Sequence, residues 1–143
     1  MAQKKLRAVH YLNQFFGQVG GEDKATAGFV VKQGPVGPGL ALQKEMGDRA
    51  EIVATVICGD DFFAGNPDQN AEEGLKLVSS YQPDLFFAGP AFAAGRYSVA
   101  CGAMCKAVGA ANAAILAVRP KFGSRITMGM GTTVAMIGPA VGM

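Results

Sequence analysis

Residues 51–58 read EIVATVIC, an eight-residue run rich in β-branched Ile, Val and Thr with no alternation of polar and apolar positions. A short run that is apolar throughout suits a strand covered on both faces, as in a parallel sheet. Three further runs read the same way: residues 6–12 (LRAVHYL), 84–88 (DLFFA) and 113–118 (AAILAV). Helix-like stretches separate them. Residues 38–46 (PGLALQKEM) begin with a proline, which is tolerated in a first helical turn, and Gly47 follows as a C-terminal stop. Residues 70–81 (NAEEGLKLVSSY) place Asn70 at an N-cap position, with Glu72 and Glu73 in the first turn, where their charge complements the helix dipole. Residues 97–108 put Tyr97, Cys101, Met104, Cys105 and Val108 on one face at helical spacing. Strands alternating with helices predict an α/β fold: three layers, a mostly parallel sheet flanked by helices, flavodoxin-like or Rossmann-like.

Ligands of such sheets bind beyond the carboxyl ends of the strands, near the point where strand order reverses. That rule makes three loops converge on one edge. The first, residues 13–22 (NQFFGQVGGE), carries Asn13, the pair Gly20–Gly21, and Glu22. Paired glycines permit positive φ and close approach to a ligand, with a flexible turn as the competing reading. The loop has neither a phosphate-loop nor a dinucleotide-binding spacing. The second, residues 58–66 (CGDDFFAGN), puts Cys58, Asp60 and Asp61 at a strand end. Two adjacent carboxylates hold a cation or take a proton, or form a solvated acidic turn. Cys58, ending an apolar strand, reads as a small buried hydrophobe more than as a nucleophile.

The third loop, residues 89–96 (GPAFAAGR), contributes Gly89, Pro90, Phe92, Gly95 and Arg96. Its small residues would let backbone N–H groups at a helix N-terminus face an anion such as a substrate carboxylate, and Arg96 could pair with the same group. The alternative is close helix-on-sheet packing with Arg96 solvated. Cys101 and Cys105, four apart on one helical face, read as core-facing thiols. With His10 the single histidine, a zinc site is not expected, nor a Ser/His/Asp or Cys/His catalytic arrangement.

Composition bounds the function classes. A chain of 143 residues is the size of one ordinary domain, and half its residues are hydrophobic. The formal net charge of +2, without a basic run interleaved with aromatics, argues against nucleic acid and anionic membrane as partners. Three cysteines do not make a disulfide framework, and residues 1–12 lack the continuous apolar core of a signal peptide. A cytoplasmic location with reduced thiols is therefore expected. Residues 1–108 hold all 11 acidic residues, whereas residues 109–143 hold three basic residues, no acidic one and four of the seven methionines. The sequence thus divides into an α/β domain over 1–108 and an apolar Gly/Met-rich tail over 109–143. The 18 uncharged residues from 126 onward contain too many glycines for a membrane helix and read as strand and turn completing the sheet.

Four stretches in fixed order, HYLNQFFGQVGGEDKA, GPVGPGLALQ, AEIVATVICGDDFFAGN and PDLFFAGPAFAAGRYSVACGAMCKAV, resemble the N-terminal part of the selenoprotein subunit of glycine/sarcosine/betaine reductase component B, over residues 5–108, whereas the tail over 109–143 is unlike that family. The resemblance implies an oxidoreductase of anaerobic amino-acid fermentation that recognises a small amine substrate and cleaves its C–N bond reductively. It implies a selenocysteine in a U-x-x-C motif and a pyruvoyl group on a companion subunit, with no cofactor bound by this chain alone. It also implies an oligomeric complex with the component B companion and the component A selenoprotein. This sequence contains no U-x-x-C, and Cys101-x-x-x-Cys105 has the wrong spacing to replace it. The expectation is therefore the N-terminal domain, or a short relative, of the substrate-binding subunit, catalytically silent alone. The alternative is a non-catalytic module for carboxylate binding or subunit assembly.

Overall fold

The computed structural model describes residues 5–90 and 95–111, together with the backbone of 116–120, 126–127 and 133–137. In chain order the elements are β1 (Leu6–Asn13), β2 (Val30–Gln33), α1 (Pro38–Met46), β3 (Ala50–Cys58), α2 (Asp60–Gly65), α3 (Pro67–Ser79), β4 (Leu85–Ala88), α4 (Arg96–Ala111), β5 (Leu116–Pro120), β6 (Ile126–Thr127) and β7 (Thr133–Ile137). The strands form one mixed sheet in the order β2-β3-β1-β4-β5-β7-β6. The fold belongs to the α/β class.

The four anticipated strands are β1, β3, β4 and β5, and they pair in parallel. The apolar runs of β1, β3 and β4 are explained by two cores. On one face Ala8 and Ile52 pack with Leu42 of α1, flanked by Met46, Leu85 and Phe87. On the other, Val9, Tyr11, Val56, Cys58, Phe86 and Ala88 pack against Phe63 of α2, Val78 of α3 and the Tyr97, Cys101, Met104, Cys105 and Val108 side of α4. The core-facing reading of Cys101 and Cys105 holds: both are buried, and neither forms a disulfide.

The β1–β3 register shifts between Ala8 and Val9, where Ile52 and Ala54 are the successive partners and Val53 is the additional residue. A bulge of this kind re-aims the following side chains. Without it Val56 and Cys58 would face α1 instead of joining Tyr11 in the larger core. Beyond it Asn13 lies opposite Cys58, and Tyr11 opposite Ala88, so the loops after β1, β3 and β4 begin side by side.

Sequence reasoning misplaced three elements. β2 is an antiparallel partner of β3 that the pattern did not announce: it is four residues long and includes Lys32 and Gln33. The stretch read as a loop over 58–66 contains the short helix α2. Its first N–H groups are met by the Ala25 carbonyl, which accepts from Asp61 N at 2.8 Å and Phe62 N at 3.0 Å. The helix read from Asn70 begins at Pro67, with Asn66 as the N-cap. Asn70 is instead buried and donates from Nδ2 to the carbonyls of Phe62 and Phe63 at 2.8 and 3.3 Å, closing the end of α2. The 113–118 strand prediction is met by β5 from Leu116 onward; residues 112–115 lie outside the described residues.

Candidate functional site at the strand ends

Strand order reverses at β1, which has β3 on one side and β4 on the other. The loops following these three strands carry the residues singled out above. Asn13, the last residue of β1, is buried, and both halves of its amide are used. Its Nδ2 donates to Asp60 Oδ2 at 3.0 Å, and its Oδ1 accepts from Phe16 N at 2.9 Å. The neighbouring Gln14 accepts from Asp60 N through Oε1 at 3.0 Å. The loop after β1 therefore grips the start of α2.

The acidic pair divides into two roles. Asp60 is buried, at 7% exposure, whereas Asp61 is exposed and pairs with Arg96. Arg96 also pairs with Glu22, its Nη2 lying 2.6 Å from Glu22 Oε1. One guanidinium at the start of α4 thus clasps a carboxylate from the loop after β1 and another from the loop after β3. Arg96 is exposed, as the solvated reading has it, but it is not a free partner for an anionic ligand. It is already occupied. With Asp60 included, the four side chains carry a formal charge of −2, the sign that favours a cation.

The glycines play less of a conformational role than their pairing suggested. Gly21 has φ −89, and Gly20 is absent from the positive-φ positions. What matters at Gly20 is space, because a Cβ there would lie 2.2 Å from Lys24 Cγ. Gly89 and Gly95 do adopt positive φ, at 134 and 102, and the Gly89–Pro90 peptide is cis. Gly89 and Pro90 are buried. Phe92 lies outside the described residues.

Sequence reasoning missed three contributors that sit inside strands or on a helix face. His10, in the middle of β1, is fully buried, and its Nε2 hydrogen-bonds the Gly89 carbonyl. That carbonyl fixes the tautomer with the proton on Nε2. Nδ1 then has no partner among the described residues. Burial dominates over the Gly89 bond and holds the imidazole down at about 4, so it is neutral at physiological pH. Tyr11 and Tyr97 are the others. Their rings lie 6.4 Å apart, with Phe63 at 6.1 Å from Tyr11 and Phe16 at 5.7 Å from Tyr97. The Tyr11 hydroxyl and Asp60 Oδ1 are buried without a hydrogen-bond partner among the described residues. Tyr97's hydroxyl has the Cys101 thiol beside it, a weak partner.

Burial raises both phenols well above the usual tyrosine value, and the Asp60 charge adds to the shift at each. Asp60 itself is raised by burial and by Glu22, against the lowering effects of Asn13, Arg96 and Gln14. Cys58, next to it, is pushed up to about 12 by burial and then by Asp60, so it is a neutral thiol and no nucleophile. Among the described residues no group of three His, Cys, Asp or Glu side chains could hold a metal ion. None of the described helices is long and apolar enough to cross a membrane.

Residues 5–136 match the family described as glycine/sarcosine/betaine reductase selenoprotein B. The chain belongs to this family. The match runs on to residue 136, past the residue 108 at which the motif resemblance stops. The chain is 55% identical over 105 residues to the sarcosine reductase complex component B subunit beta of Peptoclostridium acidaminophilum, covering 73% of this chain and 24% of that protein. It is 56% identical over 104 residues to the glycine reductase complex component B subunit gamma of Carboxydothermus hydrogenoformans, again covering 73% and 24%. It is 46% identical over 102 residues to the betaine reductase complex component B subunit beta of Peptoclostridium acidaminophilum, covering 71% and 23%. The chain therefore spans about a quarter of the length of these relatives. No solved structure matches it.

Proposed function

We propose that this chain supplies the substrate-recognition edge of a glycine/sarcosine/betaine reductase component B subunit. The observation that carries the reading is the Arg96 clasp. Glu22, Asp61 and Arg96 come from three separate family motifs and meet at the strand ends, where α/β sheets bind their ligands. Asn13, Gly20, Gly21, Asp60, Gly89 and Gly95 shape the same edge. A three-layer, flavodoxin-like arrangement is consistent with α1 on one sheet face and α2, α3 and α4 on the other.

The chemistry of the complex needs more than this edge. Reductive C–N cleavage requires a nucleophile at the substrate α-carbon, and each cysteine of this chain is buried. In our reading the attacking selenol lies in a U-x-x-C motif outside these 143 residues, and the pyruvoyl group lies on a companion subunit. The chain acts in an oligomeric cytoplasmic complex and is silent alone.

The test is titration of the purified chain with glycine, sarcosine and betaine, followed by thermal shift and calorimetry, with turnover measured in parallel. Binding of at least one amine is expected, with stabilisation of about 2.7 kcal/mol at a hundredfold excess over Kd, and no turnover. Turnover by the isolated chain, or failure to bind any of the three, would overturn the reading. A subunit-assembly role is the second reading, favoured by the open groove of about 580 Å³ between α3 and α4, lined by Leu75, Ala103 and Ala107. Stable self-association without amine binding would favour it.

A further inference from the structure

We infer that Asp60, Tyr11 and Tyr97 form a subsite for an ammonium group bearing N–H donors, so that this edge takes primary and secondary alkylammonium ions and discriminates against quaternary ones. The inference rests on the proposal above and names which end of the substrate the chain holds, and by what.

Three observations lead to it. First, the charge is wrong for an anion: Arg96 is spent on Glu22 and Asp61, and Asp60 brings the cluster to a formal −2. Second, Asp60 Oδ1 and the Tyr11 hydroxyl are buried and lack partners among the described residues, although buried polar atoms are ordinarily paired. Leaving such an atom unmatched is destabilising, so these atoms are poised for a donor that arrives from outside. Asp60 is positioned firmly for that role, because Asn13 and Gln14 hold its other oxygen and its backbone N–H. Third, the surroundings are aromatic: the Tyr11–Phe63, Tyr11–Tyr97 and Phe16–Tyr97 ring pairs lie edge-on or tilted with centroids 5.7–6.4 Å apart. Aromatic faces attract cations electrostatically, and more so when water is excluded.

The unpartnered atoms also decide between kinds of cation. An ammonium with two or three N–H groups satisfies Asp60 Oδ1 and the Tyr11 oxygen together, and one with three leaves a donor for Tyr97. A quaternary ammonium brings charge and methyl groups but no donor, so the buried acceptors stay unmatched. Failing to supply a hydrogen bond to a site built for one is heavily penalised. The Arg96 clasp, whose charges act on Asp60, has three exposed side chains, and its ion pairs are therefore weak.

The experiment uses the 143-residue chain and its Asp60→Asn and Tyr11→Phe variants, each checked for folding by circular dichroism. Methylammonium, tetramethylammonium and acetate are titrated at constant ionic strength alongside glycine, sarcosine and betaine. Binding is read from calorimetry and from NMR shifts of the Asp60 carboxyl carbon and the Tyr11 and Tyr97 rings. Expected are shifts with methylammonium and none with acetate. Glycine and sarcosine should bind at least tenfold more tightly than betaine, Asp60→Asn should lose at least tenfold, and Tyr11→Phe several-fold.

Acetate moving these signals, or tetramethylammonium and betaine binding as tightly as their N–H counterparts, would overturn the inference. So would amine binding that survives Asp60→Asn unchanged, although the recognition role proposed above would then stand. Conversely, Asp60-dependent binding of methylammonium without binding of glycine, sarcosine or betaine would support the subsite and refute that role.

Discussion

Acid should unfold this protein through His10, and the size of the effect follows from its place in β1. The imidazole is fully buried, donates from Nε2 to the Gly89 carbonyl, and would have to carry a second proton on Nδ1. No described residue accepts a hydrogen bond there. The folded state therefore binds that proton only near pH 4, whereas the unfolded chain takes it up near 6.5. Between these values the unfolded state holds more protons, so stability falls as pH falls. The contribution is fully present above 6.5 and is lost on the way to about 4. A span of 6.5 to about 4 corresponds to about 3 kcal/mol, at about 1.36 kcal/mol per pH unit. Asp60 works in the opposite sense, because its raised carboxyl gains the folded state stability as it protonates. The assay must therefore isolate the imidazole. Urea unfolding of the wild type and His10→Gln, from pH 7.5 to 4.5, gives the His10 part as the difference between the two curves. Direct NMR titration of the imidazole in the folded wild type needs no variant. A folded-state titration near 6.5, or a difference curve flat across this window, would refute the reasoning.

Three further outcomes are expected. Gly59→Ala should cost about 3 kcal/mol or more, at the upper end for overpacking, because its Cβ would fall 2.3 Å from the Ala25 carbonyl oxygen, a backbone atom that cannot rotate away; urea unfolding at pH 7 showing a loss under about 1 kcal/mol would contradict it. Cys58, with its thiol at about 12 and buried, should resist an aromatic disulfide reagent at pH 8 in the native protein and react only on unfolding. Rapid native labelling at Cys58, located by mass spectrometry, would refute this. Arg96→Gln should barely move the thermal midpoint, since its ion pairs are exposed, while tightening methylammonium binding by removing the positive member of the cluster; weaker binding of the cation would count against the charge argument.

The parallel sheet was legible because burial on both faces leaves a pattern that survives in one dimension: continuous apolar runs such as EIVATVIC. The convergence of the loops after β1, β3 and β4 was legible for a related reason, since topology alone fixes where loops after parallel strands must lie. What stayed hidden was whatever depends on partners far apart in sequence. β2 is short and partly polar, and only its pairing with β3 makes it a strand. Asn70 looks like an N-cap from its neighbours, yet its amide is drawn to the Phe62 and Phe63 carbonyls eight and seven residues earlier. Arg96 invited the reading of an anion partner because the two carboxylates that occupy it stand 35 and 74 residues away. His10 and Tyr11 lie inside an apolar run and Tyr97 on an apolar helix face, patterns that mark core positions and not a site. They are core residues, and their polar atoms converge on the edge nonetheless.

That convergence traces to β1. A strand turns successive side chains to opposite faces, so His10 and Tyr11 diverge. His10 reaches from the α1 face to the Gly89 carbonyl, and Tyr11 enters the aromatic and acidic cluster on the α4 face. Two residues on, Asn13 returns to the Tyr11 side and holds Asp60. Three positions of one strand, one on the α1 face and two on the α4 face, thereby touch the elements that follow β3 and β4 from both faces of the sheet. The central position of β1 is what allows this, because an edge strand has a neighbour on one side alone. A change in β1 should accordingly disturb both other loops. His10→Gln is expected to shift NMR signals at Gly89 and Asp60 together, the second through the rigid register with β3. Shifts confined to Gly89 would mean that the three loops are neighbours without being coupled.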